Sequence, residues 1–204
     1  MTTSGPLQLE DVADQRAYER EREQFRSEVI EVKKRRRIGV GPLVTFLFEN
    51  RMTIRFQIQE MARAERMSTD QEIQHELDVY NRLLPSDGEL SATLFIEMTD
   101  DAALRAWLPR LVGIEGSCVL RIGEGPDAAS ITSVPEVEHE AALTRDDITS
   151  AVHYVRFPVG ARLAHRLRAG PAVLAIDHPG YPEGLPGTML GDATRSELAS
   201  DLVA

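Results

Sequence analysis

The stretch from Gly41 to Leu84 constrains the fold most, because its apolar residues recur at helical spacing. A first helix is predicted from Pro42, whose missing N–H costs nothing at the first helical position. A second helix is predicted after Ser68, where Thr69 and Glu72 match a capping box, and it ends before Pro85. The stripes are Leu43, Val44, Leu47, Ile54, Ile58 and Met61 in the first helix, and Ile73, Leu77, Tyr80 and Leu84 in the second. We therefore predict a central helical hairpin over residues 41–85.

Asn50 and Arg51 interrupt the first stripe where two further apolar residues would complete it. A guanidinium in or beside a core has to be paired, because an unpaired one costs about 3–5 kcal/mol. One interpretation is an internal polar network in which nearby carboxylates hold Arg51. The other is a polar pocket for an anionic ligand. The carboxylates are Glu49, Glu60 and Glu65, and the pocket would be lined by Asn50, Arg51, Arg55 and Gln59.

A charged helix is predicted over residues 10–35, because alternating acidic and basic residues surround a thin apolar stripe. The run from Lys33 to Arg37 ends this helix. Cations are favoured at a helix C-terminus, so we interpret the run as a solvated helix end. Nucleic-acid contact is the alternative, but no aromatic residue interleaves with the run.

After Pro85 the apolar period changes from helical to alternating, which indicates strands. The strands are predicted at residues 90–98, 118–122, 131–134, 151–157 and 172–176, with short helices at 100–112 and 161–168. The fold class is therefore α+β: a charged N-terminal helix and a helical hairpin packed on a mostly antiparallel or mixed sheet of about five strands, with two short helices. Residues 1–9 are expected to be disordered, 10–182 to form a single domain, and 183–204 to be a Gly- and Pro-rich tail with a final helical turn.

Composition narrows the function classes. A net charge of -10 argues against broad binding to nucleic acid or to anionic membranes. Cys118 is the single cysteine, so one chain can build neither a disulfide nor a multi-cysteine metal site. No signal peptide or run of 18 apolar residues is present, so a cytoplasmic protein with no membrane contact is expected. No cofactor is predicted.

Histidines offer the other candidate chemistry. Glu72 with His75, and Glu136 with His139, have the Glu-x-x-His spacing of di-iron bundles, but His75 points away from the apolar stripe and we interpret both pairs as surface groups. His153 lies mid-strand and His178 at a strand end, where each is either structural or functional. No nucleophile elbow, phosphate-binding loop or dinucleotide fingerprint occurs.

Several separated motifs resemble a bacterial family of about this length with no assigned function. They are Leu47-Phe48-Glu49-Asn50-Arg51, Gln57-Ile58-Gln59-Glu60-Met61 with Arg63 and Glu65, Glu76-Leu77-Asp78-Val79-Tyr80-Asn81, Ser150-Ala151-Val152-His153 and Ile176-Asp177-His178-Pro179. The resemblance covers residues 28–181, leaving the charged N-terminal segment and the tail outside. Its members are often encoded beside rubrerythrin-like and heterodisulfide-reductase-like iron-sulfur proteins, which implies a link to redox or peroxide defence by association.

Two functional hypotheses follow. The first is a cytoplasmic accessory or binding protein that acts through the polar face around Asn50 and Arg51, with a redox or iron-sulfur protein, or a second copy, as its partner. The second is an enzyme or metal-binding protein. Its site would combine Glu49, Arg51, Glu60, His153 and His178.

Overall fold

A computed structural model describes residues 5–136, 147–182 and 184–202 of the chain. Both helices and strands occur along these residues. Contacts divide the chain into two compact units. Unit 1 comprises residues 1–35 and 49–84, and unit 2 comprises residues 36–48 and 85–204. Within the described residues, no helix is both long and apolar enough to cross a membrane. The predicted single domain over residues 10–182 remains a prediction.

Unit 1 is helical. Its helices are α1 (Gln15–Arg36, whose last residue falls in unit 2), α2 (Arg51–Ala64) and α3 (Asp70–Tyr80). Asn50 caps α2 by accepting a hydrogen bond from the N–H of Thr53, and Thr69 caps α3 through the predicted box with Glu72. The start of α3 and the charged helix are therefore confirmed.

A small aromatic cluster joins α1 to α2. Tyr18, Phe25 and Val29 of α1 are buried, and Phe56 of α2 meets Phe25 edge to face with ring centroids 5.8 Å apart. The Arg55 guanidinium lies over the ring of Phe25, 4.8 Å from its centroid. The thin apolar stripe of the charged helix is thus a packing surface.

Unit 2 contains two antiparallel sheets among the described residues. Their strands are β1 (Arg37–Val40), β2 (Val44–Glu49), β3 (Leu90–Ile96), β4 (Cys118–Ile122), β5 (Ala129–Thr132), β6 (Val134–Pro135), β7 (Val152–Phe157), β8 (Ala172–Ile176) and β9 (Thr188–Met189). One sheet has the order β1-β2-β3-β7-β6 and the other β5-β4-β8-β9. Leu94, Leu120, Phe157 and Leu174 are fully buried in the core of this unit. The α+β class is confirmed, with two sheets in place of the one predicted.

Three helices complete unit 2 within the described residues: α4 (Asp101–Trp107), α5 (Ala164–Ala169) and α6 (Asp192–Asp201). The cap of α4 is Asp100, one residue after the predicted Thr99. The expected tail instead contributes β9 and α6, and Leu198, Ala199 and Leu202 are buried. A helix that buries Leu198 and Ala199, and is followed by the buried Leu202, belongs to the core, so the prediction of a final helical turn was too short.

The prediction of a helix from Pro42 is wrong over residues 44–49. Gly41 adopts φ +60° and begins a tight loop that pairs Val40 with Val44 in a hairpin, and a Cβ at Gly41 would lie 2.7 Å from the Tyr181 hydroxyl. Four of the six residues of β2 carry β-branched or aromatic side chains, which favour strands, and five of the six are buried. Burial on both faces removes the alternation that would have marked the strand.

Candidate functional site

Residues 5–14, which we call the N-terminal arm, lie along unit 1 before α1 begins. Leu7 is 1% exposed, and its backbone N–H and carbonyl both bond to the Asn81 side-chain amide, at 2.8 and 2.9 Å. A paired bond of this kind fixes the direction and the register of a chain. Residues 5–9 were predicted to be disordered, but the buried Leu7 and its paired bonds hold them in place.

Arg51 and Arg55 of α2 also bind the arm. Arg51 donates to the Gly5 carbonyl oxygen at 2.5 Å and forms an ion pair with Asp11 at 2.5 Å, and Arg55 donates to the Asp11 carbonyl oxygen at 2.6 Å. Burial acts to raise the pKa of Asp11, but the hydrogen bonds from the Gln8 N–H and from Arg51 outweigh it and hold that pKa below its usual value. The partner of Arg51 is therefore Asp11, and the prediction that Glu49, Glu60 or Glu65 would hold it was wrong.

Arg51 itself is half-buried: its side chain keeps 27% of its exposure. Asn50 is the α2 cap, and the buried Glu49 carboxylate accepts from the Thr53 hydroxyl one helical turn later, at 2.5 Å. The polar residues that interrupted the predicted stripe thus mark a helix start. They do not break a longer helix.

Gln59 and Glu60 fix the junction of the arm with α1. Gln59 bonds the backbone N–H and carbonyl of Ala13, at 3.0 and 2.8 Å. Glu60 accepts from the Tyr18 hydroxyl at 2.5 Å and forms two bonds of 2.8 Å with Arg22. The Arg22 hydrogen bonds lower the pKa of Glu60, while burial and the Glu60 contact raise the pKa of Tyr18.

A pocket of 450 Å³ lies beside this junction in unit 1. Its apolar lining is Leu9, Val12 and Ala13 of the arm with Ala62, Met67 and Ile73. The charged side chains at its edge are Asp14, Arg16, Arg63 and Asp70. An apolar pocket of this size with a few charged groups is typical of a small-molecule site. Gln59, which belongs to the predicted polar face, also lines this pocket.

His153 belongs to unit 2 and is 2% exposed there. Its Nε2 lies 2.8 Å from the Thr149 hydroxyl and 3.0 Å from the Ser150 carbonyl oxygen, and its Nδ1 lies 3.7 Å from Glu115 Oε2. That carboxylate oxygen is buried and has no hydrogen-bond partner among the residues that the structure describes. Sequence reasoning missed Glu115, because it follows Gly113 in an irregular segment with no periodic signal.

His178, also in unit 2, has a structural role. Its Nδ1 accepts from the Gly180 N–H at 3.0 Å, so its Nε2 carries the proton and donates to the Val112 carbonyl oxygen at 2.9 Å. This ring closes the turn after β8. The turn then places the Tyr181 hydroxyl as a donor to the Val40 carbonyl oxygen.

Arg36 is the fully buried guanidinium of the chain's basic run, with 1% exposure. It forms a two-bond pair with Asp201 at 2.7 and 2.8 Å and contacts Glu197 at 3.2 Å, all within unit 2. Burial disfavours its charge, yet these carboxylates reverse the effect and raise the pKa of Arg36. The prediction of a solvated helix end is therefore wrong for Arg36, because α6 supplies two acidic side chains that the sequence did not connect with it.

The structure identifies no metal centre in the residues it describes: no group of three or more His, Cys, Asp or Glu there could hold a metal ion. His75 is exposed, as predicted. His139 lies outside the described residues, as does most of the acidic segment after Glu136. Cys118 is fully buried, and that burial raises the pKa of its thiol to about 12.

The fold and these contacts define an α+β protein whose helical unit carries its own N-terminal arm across the predicted polar face. The chain belongs to the family described as "Protein of unknown function (DUF3501)", which matches residues 6–202. The match includes the arm and α6, so the expectation that both ends fall outside the family was wrong.

A solved relative shares the fold. A protein of unknown function from Burkholderia pseudomallei K96243, whose crystal structure is known, is 36% identical in sequence to this chain. The two structures match with a TM-score of 0.86, and the match covers 97% of this chain and 100% of that chain. A comparison with curated proteins found no match.

Proposed function

We propose that this protein is a cytoplasmic accessory binding protein whose pocket in unit 1 takes a small, partly apolar ligand with an anionic head. The pocket supports this proposal by its size and by its apolar lining. Arg16, which lines the pocket, would bind the head, since guanidinium groups pair well with carboxylates and sulfonates. Arg63 also lines the pocket and adds its charge there, but its guanidinium is paired with Glu19 at 2.6 Å. Asp14 is already engaged, because its carboxylate accepts from the Ala17 N–H at the start of α1.

Binding is favoured over catalysis here because two acidic groups at the pocket are already hydrogen-bonded. Asp14 in the lining accepts from the Ala17 N–H, and Glu60 accepts from the hydroxyl of the lining residue Tyr18. Glu60 is held by Tyr18 and by two bonds from Arg22, which leaves it poorly placed to move a proton. In the described residues, the pocket lining includes no His or Cys. The polar face of α2 named by the sequence is filled by the arm, so a ligand would meet the pocket beside that face.

The fluorescent probe 8-anilinonaphthalene-1-sulfonate tests this site, because it combines an apolar body with a sulfonate. Wild-type protein is expected to bind it with a single saturable site. Arg16→Ala should weaken that binding by about tenfold, or 1.4 kcal/mol. Arg20→Ala is the matched control on the same helix, since Arg20 is exposed and does not line the pocket.

Ile73→Trp should fill the pocket and abolish the saturable phase, whereas Gln74→Trp, on the exposed face of α3, should leave it unchanged. Equal probe affinity in all four variants and the wild type would contradict a ligand site here. Hexanoate is the competitor, because it offers a carboxylate on a short apolar chain.

The proposed partner is a redox or iron-sulfur protein of the rubrerythrin-like kind, and the support is the association implied by the family resemblance. Sedimentation of the protein alone and mixed with such a protein tests this. A new, heavier boundary in the mixture would support it. Unchanged boundaries would contradict it, and a dimer of the protein alone would point to self-association.

The second candidate function is an enzyme, and the buried pair of Glu115 and His153 favours it. An orphaned buried carboxylate oxygen beside an imidazole is an arrangement suited to proton transfer. An enzyme that used His153 would need small molecules to reach its imidazole. Treatment of the native protein with diethyl pyrocarbonate, followed by peptide mass mapping, separates the two functions. Modification of the exposed His75 and His165 without His153 supports binding, and modification of His153 as well supports an enzyme.

A further inference from the structure

We infer that the surface of unit 1 formed by Arg51, Arg55, Gln59 and Asn81, which we call the arm groove, is a binding site for a peptide segment of a partner protein. That segment would take the conformation of the arm, which is extended at Gln8 and Val12 with one 3-10 turn, Leu9–Asp11, between them. The arm occupies this groove in the partner's absence. This inference does not rest on the proposed ligand pocket.

The arm groove binds main-chain groups of the arm. Asn81 and Gln59 each bind both the N–H and the carbonyl of one arm residue, Leu7 and Ala13. Arg51 and Arg55 each donate to a further arm carbonyl oxygen. Main-chain hydrogen bonds of this kind supply affinity for a peptide that can adopt the backbone conformation of the arm, largely irrespective of its sequence.

Two side chains of the arm, Leu7 and Asp11, would give the arm groove its selectivity. Leu7 is the buried side chain of the arm, at 1% exposure, and Asp11 pairs with Arg51. The exposed neighbours Gln8 and Glu10 add no such contact to the groove. A matching partner segment would therefore carry a leucine-sized aliphatic residue followed four positions later by a carboxylate.

The arm is also placed to be exchanged. It precedes α1 and continues into it at Gln15, so residues 5–13, with their 3-10 turn over Leu9–Asp11, can leave the groove without unwinding α1. A tethered occupant competes at an effective concentration of order mM. A free peptide should therefore bind the wild-type protein weakly and a protein with a weakened arm more tightly, in proportion to the fraction of open grooves.

The test uses full-length protein and a fluorescein-labelled peptide of residues 5–14, followed by fluorescence polarisation. Leu7→Ala, which removes the arm's anchor, should raise the affinity for the peptide by about tenfold or more over wild type. Asp11→Asn opens the groove in a second way and keeps Leu7, so the result does not depend on one variant folding. Glu10→Ala is the matched control, and its affinity should equal that of wild type.

Two further measurements locate the binding. Adding Asn81→Ala to Leu7→Ala should abolish the gain, and a labelled peptide with alanine in place of its leucine should bind no variant. Absence of peptide binding to both opened variants, with far-UV circular dichroism like that of wild type, would overturn the inference. Dimers of the opened variants without peptide would also overturn it, because the occupant would then be the arm of a second copy.

Discussion

Arg36→Met is expected to destabilise unit 2 by about 3–5 kcal/mol, the cost of removing one partner from a buried ion pair. The Arg36 side chain is 1% exposed, and the side chains of Asp201 and Glu197 are 14% and 22% exposed. Opposite charges about 4 Å apart attract by about 4 kcal/mol at an effective dielectric of 20. Without the guanidinium, the negative charges of Glu197 and Asp201, one helical turn apart, would repel each other where water screens them poorly.

Urea unfolding followed by Trp107 fluorescence measures this change, because Trp107 is the single tryptophan and lies in unit 2. With a slope of about 2 kcal/mol/M, a loss of about 4 kcal/mol lowers the midpoint by about 2 M. Lys34→Met is the matched control from the same basic run, since its side chain is 64% exposed, and it should change stability by less than about 0.5 kcal/mol.

A double variant separates the ion pair from simple packing. Arg36→Met with Asp201→Leu should recover part of the loss, because a hydrophobic replacement of both partners avoids the uncompensated charge. If Arg36→Met proved as stable as Lys34→Met, the assignment of Arg36 as a charge held by α6 would be refuted.

Three other predictions concern particular side chains. Hydrogen bonds from Arg22 lower the pKa of Glu60 from 4.5, so the contribution of Glu60 to the stability of unit 1 should be complete above pH 4.5 and lost as the pH falls. Glu60→Gln should therefore make the urea midpoint depend less on pH between about pH 3 and 7. Buried Cys118 should react with a disulfide reagent only after denaturation, followed by thiol absorbance. Gly180→Ala should cost about 1–3 kcal/mol in urea unfolding, because its Cβ would lie 1.8 Å from a backbone oxygen, whereas Gly39→Ala meets no atom within 4 Å and should be near neutral.

The sequence predicted those elements whose signals are local. The capping box at Thr69 lies at the start of α3, and the strands at residues 118–122 and 172–176 have the predicted bounds. Local signals failed at residues 44–49, where a strand buried on both faces has the apolar spacing of a helix. Asn50 with Thr53 was the available clue, because a reciprocal cap marks a helix start after Glu49.

The candidate site was harder to predict, because its partners are distant in sequence. The sequence predicts that the Arg51 guanidinium is held inside the fold, but among the described residues the fully buried guanidinium is that of Arg36, whose partners lie more than 160 residues away in α6. Arg55, Gln59 and Glu60 remain predicted ligand-binding residues. Arg55 and Gln59 bond the arm and Glu60 bonds α1, but nothing local in the sequence shows these partners. Long-range pairing of this kind leaves no periodic trace.

The arm fills the polar face of α2, and amide hydrogen exchange measured by NMR tests this contact directly. The N–H groups of Leu7 and Ala13 donate to Asn81 and Gln59, so both should exchange more slowly than the same residues in a free peptide. Asn81→Ala should speed the exchange at Leu7 by about tenfold or more and affect Ala13 less. Exchange of both groups at the free-peptide rate in the wild-type protein would contradict the account.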